Sequence, residues 1–285
     1  MGVALKWAKY LRHEAARKSR DVLWLNLDET SIPVVMLRQR GTMKKVLKKI
    51  AWRQSCKIKA NMEETRMCFT LVGVICSDPL IQPLLPQVMF LSSKHANWNL
   101  MNEIWQNLPP NVYVKRKSSA WTDIEQHKVI IKMIGKILEP YNEIYQPILM
   151  FDAVKVHLNK FVLEELFVWL MWYLVVPKDL TYLCQPLDAH VYGRFKKCLR
   201  GKFNRSISTL TPRTKLAKAV QNCIETIEEI LNTQDWTWAF EKCGYGVDIE
   251  GQTSQYFKYH ITSRRLGRSV GCGAGPGGMC VVSDP

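Results

Sequence analysis

The chain has 285 residues, and its hydrophobic fraction of 47% is sufficient for a sizeable core and excludes a disordered composition. Its formal charge of +15 and its pI of about 9.4 favour a polyanionic partner, nucleic acid before membrane. No Cys-x-x-Cys pair occurs among the nine cysteines, which argues against a structural zinc site built from such pairs.

The N-terminal part of the chain predicts a helix followed by a strand that ends near an acid. Residues 1–20 read as a basic amphipathic helix, and "DVLWLNLDET" (Asp21–Thr30) reads as a strand with Asp28 near its end. "SIPVVML" predicts a second, short strand. The stretch from Arg38 to Lys59 contains nine Lys and Arg residues and no acid, which predicts an exposed cationic loop or hairpin.

The middle of the chain alternates strand and helix patterns. "MCFTLVGVICSD" is a continuous, β-branched apolar run and predicts a central strand, whereas the prolines of "PLIQPLLPQVMFL" predict an extended segment at a sheet edge. A helix follows, with Ser119 or Thr122 as N-cap and Pro140 as its stop. "QPILMFDAVKVH" predicts the next strand, which ends in Asp152.

The C-terminal part predicts mainly helices. "NKFVLEELFVWLMW" reads as a helix, "YLVVPKDLTYLCQPLD" as a strand and loop ending in Asp188, and two basic or amphipathic helices follow. The longest apolar run, "LFVWLMWYLVV", has 11 residues where a bilayer span needs about 20, so no membrane partner is expected. Strands early and helices between later strands predict a mixed α/β layered domain.

Three aspartates, Asp28, Asp152 and Asp188, share a position at or just past a strand or at a helix entry. Carboxylates placed in this way can converge on one sheet edge, where they repel one another unless a cation lies between them. Mg²⁺ prefers oxygen ligands, and paired ions activate water and stabilise a leaving oxygen at a phosphodiester. The pattern alone leaves the ordinary roles of turn former and helix N-cap open.

Several motifs, in the same order, resemble those of DDE-superfamily transposase endonucleases of the mariner/pogo group. Asp28-Glu29-Thr30 matches the first motif, and Asp152 with His157 matches the second. The Gln-Pro-Leu-Asp sequence that ends in Asp188 matches the third, after a spacing of 35 residues. The resemblance covers roughly residues 20–246, through the segments "LWLNLDET", "LVGVICSDP", "QPLLPQV", "SSAWTD", "ILMFDAVKVHL", "LTYLCQPLDAHVYGRFKKCLR" and "WAFEKCGY".

The resemblance implies an α/β fold, an RNase H-like mixed sheet flanked by helices, with a C-terminal helical extension. It implies a DNA endonuclease and strand transferase in which Asp28, Asp152 and Asp188 are catalytic and hold two Mg²⁺ or Mn²⁺ ions. DNA as partner, a homodimer and a nuclear location are further expectations. The expected division is a basic helix at 1–20, the catalytic domain at 21–246, and a tail at 247–285 that is Gly-rich and disordered from 267.

Related proteins carry an N-terminal helix-turn-helix region, and only about twenty residues precede the first strand here. We therefore expect a chain truncated at its N-terminus. This difference motivates an alternative function, a non-catalytic DNA-binding relic or domesticated protein derived from a transposase. The alternative predicts salt-sensitive duplex binding without a requirement for divalent metal.

Other residues have two interpretations each. Glu29 either reaches the metal or a partner in its second coordination shell or, because successive strand side chains point to opposite faces, is structural. His157 either orients a metal-bound water or packs locally. Exposed cations are commonly only solvated, but two groups are candidates for DNA backbone contacts. These are Arg38, Arg40, Lys44, Lys45, Lys48 and Lys49, and then Arg194, Lys196, Lys197 and Arg200.

Overall fold

A six-stranded mixed sheet forms the centre of the protein, in a computed structural model that describes residues 2–34, 67–203 and 212–246. The strand order is β4-β3-β2-β1-β5-β6. Strand β2 is antiparallel to β1 and to β3, whereas the pairs β3/β4, β1/β5 and β5/β6 are parallel. The strands are β1 (Asp21–Pro33), β2 (Cys68–Cys76), β3 (Gln87–Ser92), β4 (Val112–Lys117), β5 (Tyr145–Asp152) and β6 (Trp172–Val176).

Helices cover both faces of the sheet, and short 3-10 and π turns connect them. The α-helices are α1 (Gly2–Arg17), α2 (Trp98–Trp105), α3 (Ile124–Leu138), α4 (Lys160–Val168), α5 (Thr181–Cys184), α6 (Tyr192–Phe203), α7 (Pro212–Thr226) and α8 (Thr237–Phe240). The π turns are Leu187–Val191, Ile227–Asn232 and Glu241–Tyr245, and the 3-10 turns are Gln82–Leu84, Glu139–Tyr141 and Lys178–Leu180. No helix in the described ranges is long and apolar enough to cross a membrane.

The core has two halves because the side chains of each strand alternate between the faces of the sheet. Leu23, Leu25 and Leu27 of β1 pack with α3 and α4, while Trp24 on the other face packs with α1, α6, α7 and α8. Continuing the alternation places Glu29 on the α3 face and Asp28 on the α6 face. The strand therefore presents adjacent acids to two different environments.

The mixed sheet flanked by helices, with further helices at the C-terminal side, confirms the predicted α/β class. Three local predictions were wrong. The short second strand is not separate, because Ser31 to Pro33 continue β1, and its remainder from residue 35 lies outside the described residues. Strand β3 is interior rather than at an edge, since β4 pairs beyond it. The N-cap of α3 is Asp123, whose carboxylate accepts from Gln126 N at 3.0 Å.

Gly135 lies on α3 where the Trp169 indole packs directly against the helix backbone. A Cβ built on Gly135 would lie 2.3 Å from ring atoms of Trp169. We expect Gly135→Ala to lower the free energy of unfolding by up to about 2 kcal/mol, because an overpacking cost of about 1–3 kcal/mol outweighs the helix preference of alanine over glycine, which is about 1 kcal/mol. Gly201→Ala on α6 is the matched control, since its Cβ meets nothing within 4 Å. Urea denaturation of both variants measures the difference, and equal effects would contradict this packing argument.

Candidate active site

Asp28, Asp152 and Asp188 come from three separate elements that meet on one side of the sheet. Strand β1 runs parallel to β5, with Asn26 opposite Met150 as the last paired position. The same register extended by two residues sets Asp28 level with Asp152, in the region beyond the last β1–β5 pair. Asp188 lies in the π turn that leads into α6. The structure thus brings the three predicted carboxylates together.

Asn26 connects the three elements that carry the aspartates. Its side chain is fully buried, and its Nδ2 donates to Met150 O at 3.1 Å, two residues before Asp152. Its Oδ1 accepts from Leu187 N at 2.8 Å, one residue before Asp188. Because Asn26 itself lies two residues before Asp28, one amide fixes the spacing of β1, β5 and the π turn.

Tyr192 fixes the first turn of α6 against the same strand. Its hydroxyl donates to Asp28 O at 2.5 Å and accepts from Gly73 N at 3.3 Å. Asp28 and Gly73 are opposite each other in the β1/β2 ladder. A Cβ on Gly73 would lie 2.9 Å from the hydroxyl, so glycine is required for this approach. Tyr192 follows Asp188 by four residues, and this contact ties the turn to Asp28.

The Gln-Pro-Leu-Asp sequence forms the start of the π turn. The Gln185 carbonyl accepts from Ala189 N at 2.9 Å, and Leu187 is fully buried in the core. Asp188 is consequently directed to the exposed side of the turn. The buried side-chain amide of Gln185 has no hydrogen-bond partner within the part of the chain that the structure describes.

Burial and the neighbouring negative charges disfavour the ionised forms of Asp28 and Asp188. Burial, and then the negative charge of Asp188, raises the pKa of Asp28 well above its ordinary value, and Asp152 acts in the same direction. Burial also raises the pKa of Asp188, although its hydrogen bond with Asp28 and then the charge of Lys196 oppose the change. Burial lowers the pKa of Lys196 against the attraction of Asp188 and Asp28. Lys196 therefore compensates the carboxylates only in part.

Glu29 and His157 belong to a second network, which joins the aspartates at Asp152. His157 Nδ1 donates to Asp152 Oδ1 at 2.7 Å, and its Nε2 lies 2.9 Å from His127 Nε2. Glu29 Oε1 lies 3.3 Å from His127 Nε2 and accepts from the Thr122 hydroxyl. Burial acts to raise the pKa of Glu29, but its hydrogen bonds with His127 and Thr122 prevail and lower it.

The cations of α6 are not equivalent. The Arg194 guanidinium lies 4.5 Å from the centre of the Trp238 ring, whereas Lys196 interacts with Asp188 and Asp28. Lys197 is exposed and Arg200 half-buried. Their contact with DNA stays a prediction. The other predicted contacts lie outside the described residues, namely Arg38, Arg40, Lys44, Lys45, Lys48 and Lys49.

Comparison with solved structures identifies the architecture. A Mos1 mariner paired end complex with Mn superposes with a TM-score of 0.51 and 11% identity, covering 91% of this chain and 61% of that chain. The chain has the fold of the matched part of this Mos1 mariner complex. The fold prediction, an RNase H-like α/β sheet flanked by helices, is therefore confirmed. At 11% identity the similarity shows the fold alone, and the chain spans about three fifths of the Mos1 chain.

Two further structures match with lower scores. A Mos1 transposase paired-end complex with left transposon end has a TM-score of 0.40 at 11% identity, covering 85% of this chain and 62% of that chain. The catalytic domain of Mos1 mariner transposase has a TM-score of 0.45 at 10% identity, covering 91% of each chain. No known family profile matches the sequence, and no curated protein matches it significantly.

The sequence reasoning missed three residues on which the site depends. Asn26 could have been recognised in the sequence, because it is a single amide within an apolar strand. A polar side chain buried at such a position requires hydrogen-bond partners. Tyr192 and His127 gave no such signal, because each lies on a helix whose pattern explains an aromatic or polar residue equally well. Their partners, Asp28 and His157, are distant in sequence.

We expect Asn26→Leu to lower the free energy of unfolding by about 1–3 kcal/mol, because Leu187 N loses its buried acceptor. Misplacement of Asp188 should also weaken Mn²⁺ binding by about 10–100-fold, the usual effect of losing an orienting partner. Asn222→Leu is the matched control, since Asn222 is equally buried but its side-chain nitrogen has no partner among the described residues. Calorimetric Mn²⁺ titration checks this, and unchanged affinity in Asn26→Leu would contradict it.

Asp28 makes the stability of the metal-free protein depend on pH. Its raised pKa means that the folded state holds the proton more tightly than the unfolded chain does. The corresponding stability is complete below about pH 4, the ordinary carboxylate pKa, and is lost as pH rises through the pKa of folded Asp28.

The variant Asp28→Asn should not lose stability in this way as the pH rises, because its side chain does not ionise. We expect it to melt higher than the wild type at neutral pH, by roughly 2–4 °C for each kcal/mol by which burial and carboxylate repulsion destabilise ionised Asp28, with the difference vanishing near pH 4. Thermal denaturation in chelator across pH measures this. Asp179→Asn, an exposed aspartate before the π turn, is the control. An Asp28→Asn difference that does not vary with pH would refute the electrostatic account.

Proposed function

We propose that the protein is a metal-dependent DNA endonuclease and strand transferase of the transposase type. The observation that carries the proposal is the convergence of Asp28, Asp152 and Asp188, on a fold shared with the Mos1 mariner transposase. A basic helix, α6, begins directly after the turn that holds Asp188. A cluster of carboxylates beside cations suits a phosphodiester substrate. The carboxylates would bind metal ions, and the cations would contact the phosphates.

The three aspartates suit hard divalent ions. Their oxygens are the ligands that Mg²⁺ and Mn²⁺ prefer, and burial, followed by the charge of Asp188, raises the pKa of Asp28, so a bound cation would favour its ionised form. Asp28, Asp152 and Asp188 would hold the ions. When bound, two such ions supply the charge that activates a water and stabilises the leaving oxygen of a phosphodiester. The Mn²⁺ in the name of one Mos1 complex agrees with this choice of ion.

The protein's own groups position the reactants. Asn26 and Tyr192 hold the backbone beside each aspartate, so the carboxylates are aligned before substrate arrives. Lys196 neutralises part of the charge beside Asp188, and Arg200, one turn further along α6, extends the positive surface toward the DNA backbone. No residue needs to form a covalent bond to DNA, because water and then a freed 3′-hydroxyl are the attacking groups. A nuclear location follows from the same proposal.

The test is nicking of supercoiled plasmid DNA in Mn²⁺ or Mg²⁺ by the full chain. We expect Asp152→Ala and Asp188→Ala each to lower the nicking rate by at least about 100-fold, since metal ligation contributes several kcal/mol to the transition state. Asp179→Ala, an exposed aspartate in the same region of the chain, should nick at the wild-type rate. Nicking that persists in both active-site variants would show that a different site, or a contaminant, cuts the DNA.

The same samples distinguish the alternative of a non-catalytic DNA-binding protein. That alternative predicts duplex binding that weakens steeply with salt, without nicking and without binding of divalent metal. Calorimetric titration with Mn²⁺ provides the second measurement. Two-site binding that Asp28→Asn abolishes supports the nuclease, whereas salt-sensitive duplex binding with no heat from Mn²⁺ supports the alternative.

A further inference from the structure

Three electron-pair donors converge on the α3 face of the sheet, separate from the three aspartates. Glu29 Oε1 lies 3.3 Å from His127 Nε2, and His127 Nε2 lies 2.9 Å from His157 Nε2. The three ligand atoms all lie within 4.8 Å of one another. Both histidines are buried, with 2% and 5% of their side chains exposed, while Glu29 keeps 23%. The two histidines are therefore enclosed, whereas Glu29 is more accessible to solvent.

The outer contacts of the two histidines determine where their protons lie. His127 Nδ1 faces the carbonyl oxygen of Asp123 at 3.1 Å, and His157 Nδ1 faces the Asp152 carboxylate at 2.7 Å. A carbonyl oxygen and a carboxylate only accept, so each Nδ1 carries a hydrogen and donates it. In a neutral imidazole the other nitrogen then has a lone pair. With both imidazoles in this neutral form, the two Nε2 atoms offer lone pairs beside the Glu29 carboxylate, and a bound cation would replace the hydrogen bond between His127 and Glu29.

Two facing lone pairs and a carboxylate are stabilised by a positive centre among them, which is either a proton or a metal ion. We propose that Glu29, His127 and His157 bind a transition-metal ion, Zn²⁺ being the best match. Imidazole nitrogen with one carboxylate oxygen suits zinc, whereas Mg²⁺ prefers oxygen ligands throughout. The set leaves one tetrahedral position for water, the arrangement of an open zinc site.

Two of the three ligand separations are close to those of such a centre. Zinc-to-ligand bonds of about 2.0–2.1 Å place neighbouring ligand atoms of a tetrahedron about 3.3 Å apart. The Glu29–His127 pair is already at 3.3 Å, and the two histidine nitrogens, at 2.9 Å, need to separate by about 0.4 Å. The ligands come from β1, from α3 and from the segment after β5, so sheet and helix hold them in place.

The contacts behind the ligands are those expected around a metal-bound histidine. Such histidines donate their second nitrogen to a carboxylate or a backbone carbonyl, and bound carboxylates accept further hydrogen bonds. Asp152, the Asp123 carbonyl and the Thr122 hydroxyl supply these partners for His157, His127 and Glu29 respectively. Because Asp152 also belongs to the proposed active site, a metal held by His157 would orient that carboxylate through the shared imidazole.

Cobalt titration of the chelator-treated full chain tests the proposal, with Asp28→Asn/Asp188→Asn as background so that the aspartates take up no ion. We expect one equivalent of Co²⁺ to give visible ligand-field bands of a four-coordinate nitrogen and oxygen site. No near-ultraviolet thiolate band should appear, and one equivalent of Zn²⁺ should displace the cobalt. His127→Gln should weaken binding by at least 100-fold.

Two controls keep the result interpretable. Glu29→Gln retains the size of a partly exposed side chain, and it replaces His127→Gln if that variant does not fold. His190→Gln, which changes a histidine on the π turn, should bind Co²⁺ like the background protein. The proposal is overturned if one equivalent of Co²⁺ leaves the spectrum unchanged, if a thiolate band dominates, or if the ligand variants bind as the background does. Loss of nicking is not a readout, so this test is independent of the proposed nuclease activity.

Discussion

The hydrogen bonds of one buried amide, Asn26, hold the candidate active site together. A polar group without access to water must be paired, and the partners of Asn26 lie on β5 and on the π turn. The core therefore accommodates this side chain only when those two elements are at hydrogen-bonding distance from β1. The same condition brings Asp28, Asp152 and Asp188 together. The hydrogen bonds that the buried amide requires therefore also set the geometry of the site.

Strand β1 serves two chemically different environments because its side chains alternate. Asp28 faces α6, where burial and neighbouring carboxylates favour its protonated form. Glu29 faces α3, where histidine and threonine hydrogen bonds favour its ionised form. Adjacent residues of the same charge thus acquire opposite shifts. The two environments meet again through the His157–Asp152 hydrogen bond, which provides a physical link between the oxygen-only cluster and the mixed nitrogen and oxygen cluster.

Helix α6 both packs against β1 and places a cation near the aspartates. Its first residue, Tyr192, bonds to Asp28 O, and one turn later Lys196 interacts with the same group of acids. Cations on a helix are usually fully solvated, but Lys196 is partly buried, and this is why its pKa is lowered. A divalent ion at the aspartates would take over its compensating role. Lys196 would then be available to a phosphate, which is consistent with a surface that receives DNA.

The sequence by itself determined the α/β class and most strand and helix positions. It also singled out Asp28, Asp152 and Asp188 as candidate site residues, because strand-end carboxylates and short motifs are local patterns. It misplaced β3 at an edge, since the pairing of β4 beyond it is a long-range event that no local pattern records. Only the tertiary structure brought His127 to His157 and Glu29, and Tyr192 to Asp28. These contacts join residues that are distant in the chain, and their energies come from burial and hydrogen bonding, which exist only once the elements have packed.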